Sequence, residues 1–370
     1  VGSEGRELFA RLLAVRGLAD DFHVGKRRQQ SPQLVARQPL VVDQQGLHAW
    51  ETGRGMIASA TTLPGAPAMV IGSNGHVAWG FTNSEGDWMD WVRVIRNPAN
   101  PSQYKTPSGW AMIKQHDETI HVKGAPDAHV TVEDTLWGPI MAKAPDGTPL
   151  ALAWTAQDPR AVNLNLMKLE TADTVNQTLA LAPTIGIPPQ NLVVADAHGN
   201  IGWSIAGSVI PVRAGFDPSV PADWSKPGTG WVGYATAAQD PIIMNPPGSR
   251  IWTANQRIVS GDALTLIGDG GDDLGARAQQ VRDELQAREH GSFRVMRDIQ
   301  IDNRALFLAR WQKLLVGVLN ASHDPRLEAL KSYVQDWQAR AATNSVGYRI
   351  VRLFREKTRE NVLAPFTARA

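Results

Sequence analysis

Asp87 and Asp90 stand three positions apart, just after a glycine-rich stretch that reads Gly72-Ser73-Asn74-Gly75-His76-Val77-Ala78-Trp79-Gly80. Two carboxylates and an intervening carbonyl, such as that of Met89, are the donors a hard cation like calcium takes. The same pair also reads as solvated loop carboxylates. Asn255 follows the apolar run Arg250-Ile251-Trp252. An asparagine at the end of a strand can aim its amide NH2 into a cleft, as an oxyanion donor must, and asparagines also end strands for local turn reasons. A third stretch, "IGDGGDDLGARAQQ", holds three aspartates and four glycines ahead of a helical pattern. It lacks the spaced ligands and closing Glu of an EF-hand and the Gly-Lys-Ser/Thr of a phosphate loop. It reads as a tight loop in which Asp273 caps the helix.

Other chemistries are excluded. The 370-residue chain has no cysteine, which removes thiol nucleophiles, thiolate metal sites and disulfides. Nine histidines form no HExxH motif and no close pair. Ser73 in "GSNG" lies near the Gly-x-Ser-x-Gly form but has no strand-to-helix context. The net charge of +1 shows no basic footprint for a nucleic acid. No apolar run approaches the roughly 18 residues of a membrane span. Charges interrupt the start, "VGSEGRELFARLLAVRG", so it does not read as a signal peptide.

The elements that must position these residues fall into three parts. Residues 1–60 are atypical, with six glutamines between Gln29 and Gln45 and no periodicity. They read as weakly structured, or as a segment in a shifted frame. Residues 61–272 are β-rich, with short apolar runs between Gly, Pro, Asn and Asp turns, including a predicted strand through "SRIWTANQRIV". Asn74-Gly75 and Gly199-Asn200 predict two hairpins of one large sheet. Trp-Gly and Gly-Trp pairs (Trp79-Gly80, Trp137-Gly138, Gly202-Trp203, Gly230-Trp231) predict tight backbone approaches. One helical insert, "NLNLMKLETADTVNQTLALAPT", has Asp173 or Thr174 as its N-cap. Residues 273–370 are helical. Strands followed by helices predict an α+β fold.

In combination, these stretches resemble the penicillin acylase (penicillin amidase) family. "LPGAPAMVIGSNGHVAWGFTNSEGDWMDW" is similar to that family's run of Pro-Gly-x-Pro, His/Ser-Asn-Gly, Trp-Gly-x-Thr and Gly-Asp-x-x-Asp. "GIPPQNLVVADAHGNIGWSIAGSVIP", "RIWTANQRIV", "GDGGDDLGARAQQVRDEL" and "IQIDNRALFLARWQKLL" continue the match in order, from about Thr62 to Phe354. The resemblance implies part of the catalytic β chain of an N-terminal-nucleophile hydrolase, folded as a four-layer αββα sandwich. The implied reaction is hydrolysis of an acyl-amine amide by an N-terminal serine whose own α-amine is the base. That amine has a pKa of about 7.7–8.0, close to neutral. Residue by residue, the resemblance makes the Asn255 side chain and the Asn83 backbone N–H the oxyanion donors. It makes Arg277 the arginine that orders the nucleophile's surroundings, and Asp87, Asp90 and the Met89 carbonyl calcium ligands. It implies an α chain as partner, a small N-acyl amide as substrate and a periplasmic or secreted location. The candidate substrates are a β-lactam side chain, an acyl-homoserine lactone or a lipopeptide.

The sequence departs from the pattern in one respect. No Ser-Asn start and no Asn/Asp-x-His-Leu segment stands ahead of Leu63. The expectation is an internal fragment that, alone, does not hydrolyse amides. The competing reading is a non-catalytic, calcium-stabilised β-rich binding domain whose Trp-Gly hairpins form a carbohydrate or peptide surface. In an enzyme, Asn83, Asn255 and Arg277 must converge; in a binding domain they need not.

Overall fold

The computed structural model describes residues 47–51, 57–61 and 68–367. Most of the atypical segment 1–60 lies outside these residues. Its described part supplies two strands, Leu47–Glu51 and Ile57–Thr61, which pair antiparallel.

Those strands open a seven-stranded antiparallel sheet, which continues through Ile71–Ser73, Val77–Asn83, Gln190–Asp196, Ile201–Ala206 and Ile242–Met244. Both predicted hairpins belong to it. Each turn has a glycine in the left-handed region, Gly75 at φ +85° and Gly199 at φ +86°, where an L side chain is strained. Asn74 does more than turn the chain. Its Oδ1 accepts the N–H groups of His76 and Val77, both at 2.9 Å, and its Nδ2 donates to the carbonyls of Glu170 (3.1 Å) and Ala172 (2.7 Å).

Those carbonyls belong to the helical insert, which covers one face of the sheet. Thr174 is the N-cap of the helix Val175–Leu181, its side chain accepting from Gln177 N–H at 3.2 Å. Leu169, Val175 and Leu179 pack on Val77, Trp79, Leu192 and Val194. The approach is close: a Cβ on Gly202 would lie 2.8 Å from Val175 Cγ1. On the other face, Trp203 and Ile205 pack with Ile210 and Ile267. A second, five-stranded sheet runs Met89–Arg93, Pro149–Trp154, Gly138–Lys143, Ala128–Thr135, Lys114–Ile120. It packs around Val92, Tyr104 and Trp224. Helices Ala276–Gln286, Phe293–Gln300, Ala309–Ala321, Pro325–Gln335 and Val346–Thr367 follow, and the last three enclose Leu315, Val334 and Val351.

The fold is α+β, as predicted, with two local corrections. Residues 250–259 form no strand; the chain there is irregular, and Asn255 has φ +67°, incompatible with an extended backbone. The N-cap of Ala276–Gln286 is Gly275, with no side-chain cap. Asp273 is drawn off instead by the guanidinium of Arg277, 2.5 Å away.

Candidate active site

The strand Val77–Asn83 lies between Ile71–Ser73 and Gln190–Asp196, and its register with the first of these reaches only to Trp79. Ala197 N–H donates to His76 O at 2.8 Å, and the antiparallel register pairs Val77 with Asp196 through to Asn83 with Gln190. Hydrogen-bonded and non-bonded pairs alternate along such a ladder. Asn83·Gln190 is therefore a non-bonded pair, and the ladder leaves the backbone N–H of Asn83 without a backbone partner on the Gln190–Asp196 strand.

Asn255 meets the end of this strand. Its Nδ2 donates to Asn83 O at 3.1 Å, across 172 residues of chain. Its Oδ1 accepts from Arg277 Nη2 at 2.7 Å. A guanidinium only donates and a carbonyl only accepts, so the amide can face just one way. One N–H of Nδ2 is committed to Asn83 O, leaving the second for another acceptor. The left-handed backbone at Asn255 is one that asparagine tolerates better than most side chains. The two residues singled out as oxyanion donors, Asn83 and Asn255, and Arg277, singled out for ordering the nucleophile's surroundings, are thus brought together, and Arg277 and Asp273 remain exposed.

Two glycine-rich loops hold this arrangement. Asp87 N–H donates to Ile267 O, and Gly270 N–H to Glu85 O, both at 2.9 Å. A Cβ on Gly270 would fall 2.2 Å from Gly86 O, so the two backbones touch directly. The second loop also reaches Asn255, whose carbonyl accepts from Asp273 N–H at 2.9 Å.

Asp87 and Asp90 lie side by side, with Arg213 between them. Arg213 Nε donates to Asp90 Oδ2 at 2.8 Å and Nη2 to Asp87 O at 2.6 Å. Trp231 Nε1 also donates to Asp90 Oδ2, at 2.6 Å. Burial pushes the Asp87 carboxyl up to about 6; Arg213 opposes this and Asp90 adds to it. Asp90 is buried, and its Oδ1 has no hydrogen-bond partner. That orphaned oxygen and the neighbouring carboxylate are donors of the kind calcium takes. Among the described residues, no cluster of three or more His, Cys, Asp or Glu side chains could hold a metal. A calcium ion here would need backbone carbonyls or ligands beyond these residues. The N–H of Met89 serves the Asp87 carboxylate, and its side chain is exposed.

Sequence reasoning missed Arg213, Trp231 and a buried amide, Asn191, that also donates to Asn83 O, at 2.9 Å. For Asn191 a signal existed: it is the one polar residue among the apolar neighbours of "NLVVA".

Comparison with known proteins gives a consistent result. The family model described as penicillin amidase matches residues 30–369, starting ahead of the Thr62 where the motifs begin. An acyl-homoserine lactone acylase QuiP of Pseudomonas fluorescens is 30% identical over 210 residues, covering 55% of this chain and 26% of that protein. A penicillin G acylase of Escherichia coli is 27% identical over 311 residues, covering 78% of this chain and 34% of that protein. The chain thus spans about a quarter to a third of the length of these relatives. A thermostable penicillin G acylase from Alcaligenes faecalis superposes with a TM-score of 0.62 at 22% identity, covering 80% of this chain and 55% of that one. The likeness shows the fold. No described helix is long and apolar enough to cross a membrane.

Proposed function

This chain belongs to the penicillin amidase family, and on that premise we propose that it carries the oxyanion-stabilising part of an amidohydrolase site acting on N-acyl amides. The observation that carries the reading is the convergence of Asn83, Asn255 and Arg277. Acyl transfer passes through a tetrahedral intermediate whose oxygen bears the developing negative charge. The uncommitted N–H of Asn255 and the backbone N–H of Asn83 are the two donors. One such donor lowers a barrier by roughly 3 kcal/mol when it is fixed in advance. Arg277 does the fixing, by holding Oδ1.

The nucleophile in this reading is an N-terminal serine, with its α-amine as base. The hydroxyls beside the donors, those of Thr82 and Thr253, are 2.6 Å apart and bonded to each other and to the Asn191 amide rather than to an amine or imidazole. They are not placed to attack. The substrate class rests on the relatives' names, an acyl-homoserine lactone acylase and a penicillin G acylase. Calcium at Asp87 and Asp90, an α chain as partner and a periplasmic or secreted location complete the reading. Of these, calcium has support within the chain, from the orphaned Asp90 Oδ1. The non-catalytic binding domain is disfavoured because it gives no reason for the convergence.

The test is an assay of the full translation product of the locus against a chromogenic phenylacetyl amide and a long-chain N-acyl-homoserine lactone. Hydrolysis is expected, with kcat lowered about 10²–10³-fold by Asn255→Gly. Glycine suits φ +67° and removes only the amide. The 370-residue chain assayed by itself is expected to be inactive. No hydrolysis by the full product, or full activity in Asn255→Gly, sinks the reading.

A further inference from the structure

Asn191 is 2% exposed, and its amide is fully used. Its Oδ1 accepts from Trp203 Nε1 at 3.1 Å. Its Nδ2 donates to Asn83 O at 2.9 Å and faces Thr82 Oγ1 at 3.1 Å and Thr253 Oγ1 at 3.3 Å. The indole N–H only donates, so Trp203 dictates that the NH2 end faces Asn83. Trp203 is itself held in the apolar cluster with Ile205, Ile210 and Ile267.

Two segments meet on this one amide: the end of the strand Val77–Asn83, and the irregular stretch that carries Thr253 and Asn255. Asn83 O is the shared acceptor of Asn191 and Asn255. We propose that Asn191 is a positioning residue: it sets the placement of Asn255 relative to Asn83, and Trp203 sets its orientation. The assignment rests on the reading of Asn83 and Asn255 as oxyanion donors. An asparagine kept only to satisfy Trp203 would need its Oδ1 and be indifferent to its NH2. A positioning residue needs both ends, and substitution separates the two cases. Asn191→Asp keeps the acceptor for Trp203 and loses every donor toward Asn83 and the threonines. Asn191→Ala loses both ends.

The experiment follows the side-chain amide of Asn255 and the indole N–H of Trp203 by NMR, in the chain labelled with ¹⁵N at asparagine and tryptophan. Asn255→Gly and Trp203→Phe supply the assignments. Both Asn191 variants should move the Asn255 amide signals, whereas the Trp203 indole signal should move in Asn191→Ala and stay in Asn191→Asp. Asn255 signals unmoved in a folded variant overturn the proposal, even if the melting temperature falls. Should neither variant fold, the wild-type chain decides. The Asn191 amide protons should exchange slowly and show through-space contacts to the methyls of Thr82 and Thr253; fast exchange without those contacts overturns it. The readout does not depend on turnover. Failure of positioning appears in these signals, and failure of the hydrolase reading appears in the assay.

Discussion

Arg277 Nη2 donates to Asn255 Oδ1 at 2.7 Å, joining two residues 22 apart in sequence. The bond holds one side chain by means of another. Arg277 also pairs with Asp273, but both side chains are more than half exposed, and exposed pairs contribute little to stability. Arg277→Ala should therefore leave the melting temperature unchanged. In the hydrolysis assay it should lower kcat by roughly tenfold, equal to about 1.4 kcal/mol of barrier. A variant with wild-type kcat would show that Asn255 needs no such support.

The loop contact behind Asn255 predicts a stability effect. Gly270 faces backbone atoms of Gly86, which cannot rotate aside as a side chain can. Gly270→Ala should cost about 1–3 kcal/mol, the range for overpacking. Urea unfolding measures it. An unchanged midpoint would mean that the two loops do not touch in solution.

Asp240 predicts a pH dependence. Its Oδ2 is buried without a partner, and burial pushes the carboxyl up to about 7. The folded value lies above the unfolded one near 3.8, so the group favours the folded state at low pH. That contribution is lost as pH rises through about 7. Wild-type stability should fall between pH 5 and pH 8 by more than that of Asp240→Asn, which keeps the shape of the protonated acid. Parallel unfolding curves for the two proteins across this range would contradict the assignment.

Calcium can be tested at Asp87 by the same logic. Its carboxyl, pushed up to about 6, is protonated in the folded chain at pH 5 and ionised at pH 7.5. The ionised form is the cation ligand, and a ligand bound only to the folded state raises its stability. Added calcium should raise the melting temperature at pH 7.5 and have little effect at pH 5. Asp87→Asn should abolish the rise. No rise at pH 7.5 would leave Arg213 as the counter-charge of this carboxylate pair among the described residues.

Much of the fold was legible in the sequence. The Asn-Gly turns, the Thr174 cap, the alternating strands and the closing run of helices are encoded by residues a few positions apart. Backbone preference and side-chain periodicity act over that range. The order of the motifs also identified the family, and with it Asn83, Asn255 and Arg277 as the residues to examine.

Local pattern misled where a distant partner outweighed it. Arg250-Ile251-Trp252 has strand composition, yet the chain there is irregular and leads to a left-handed Asn255, whose amide is held by Asn83 and Arg277. Asp273 has the composition of a cap and instead serves Arg277. Asn74 reads as a turn residue and also bonds carbonyls 96 and 98 positions away. Asn191 and Arg213 reach their partners across 108 and 123 residues. By itself the sequence determined which elements form and which residue types could do chemistry. Only the tertiary structure decided which of those residues meet, because a buried donor or acceptor must be satisfied wherever the packed chain brings a partner within reach.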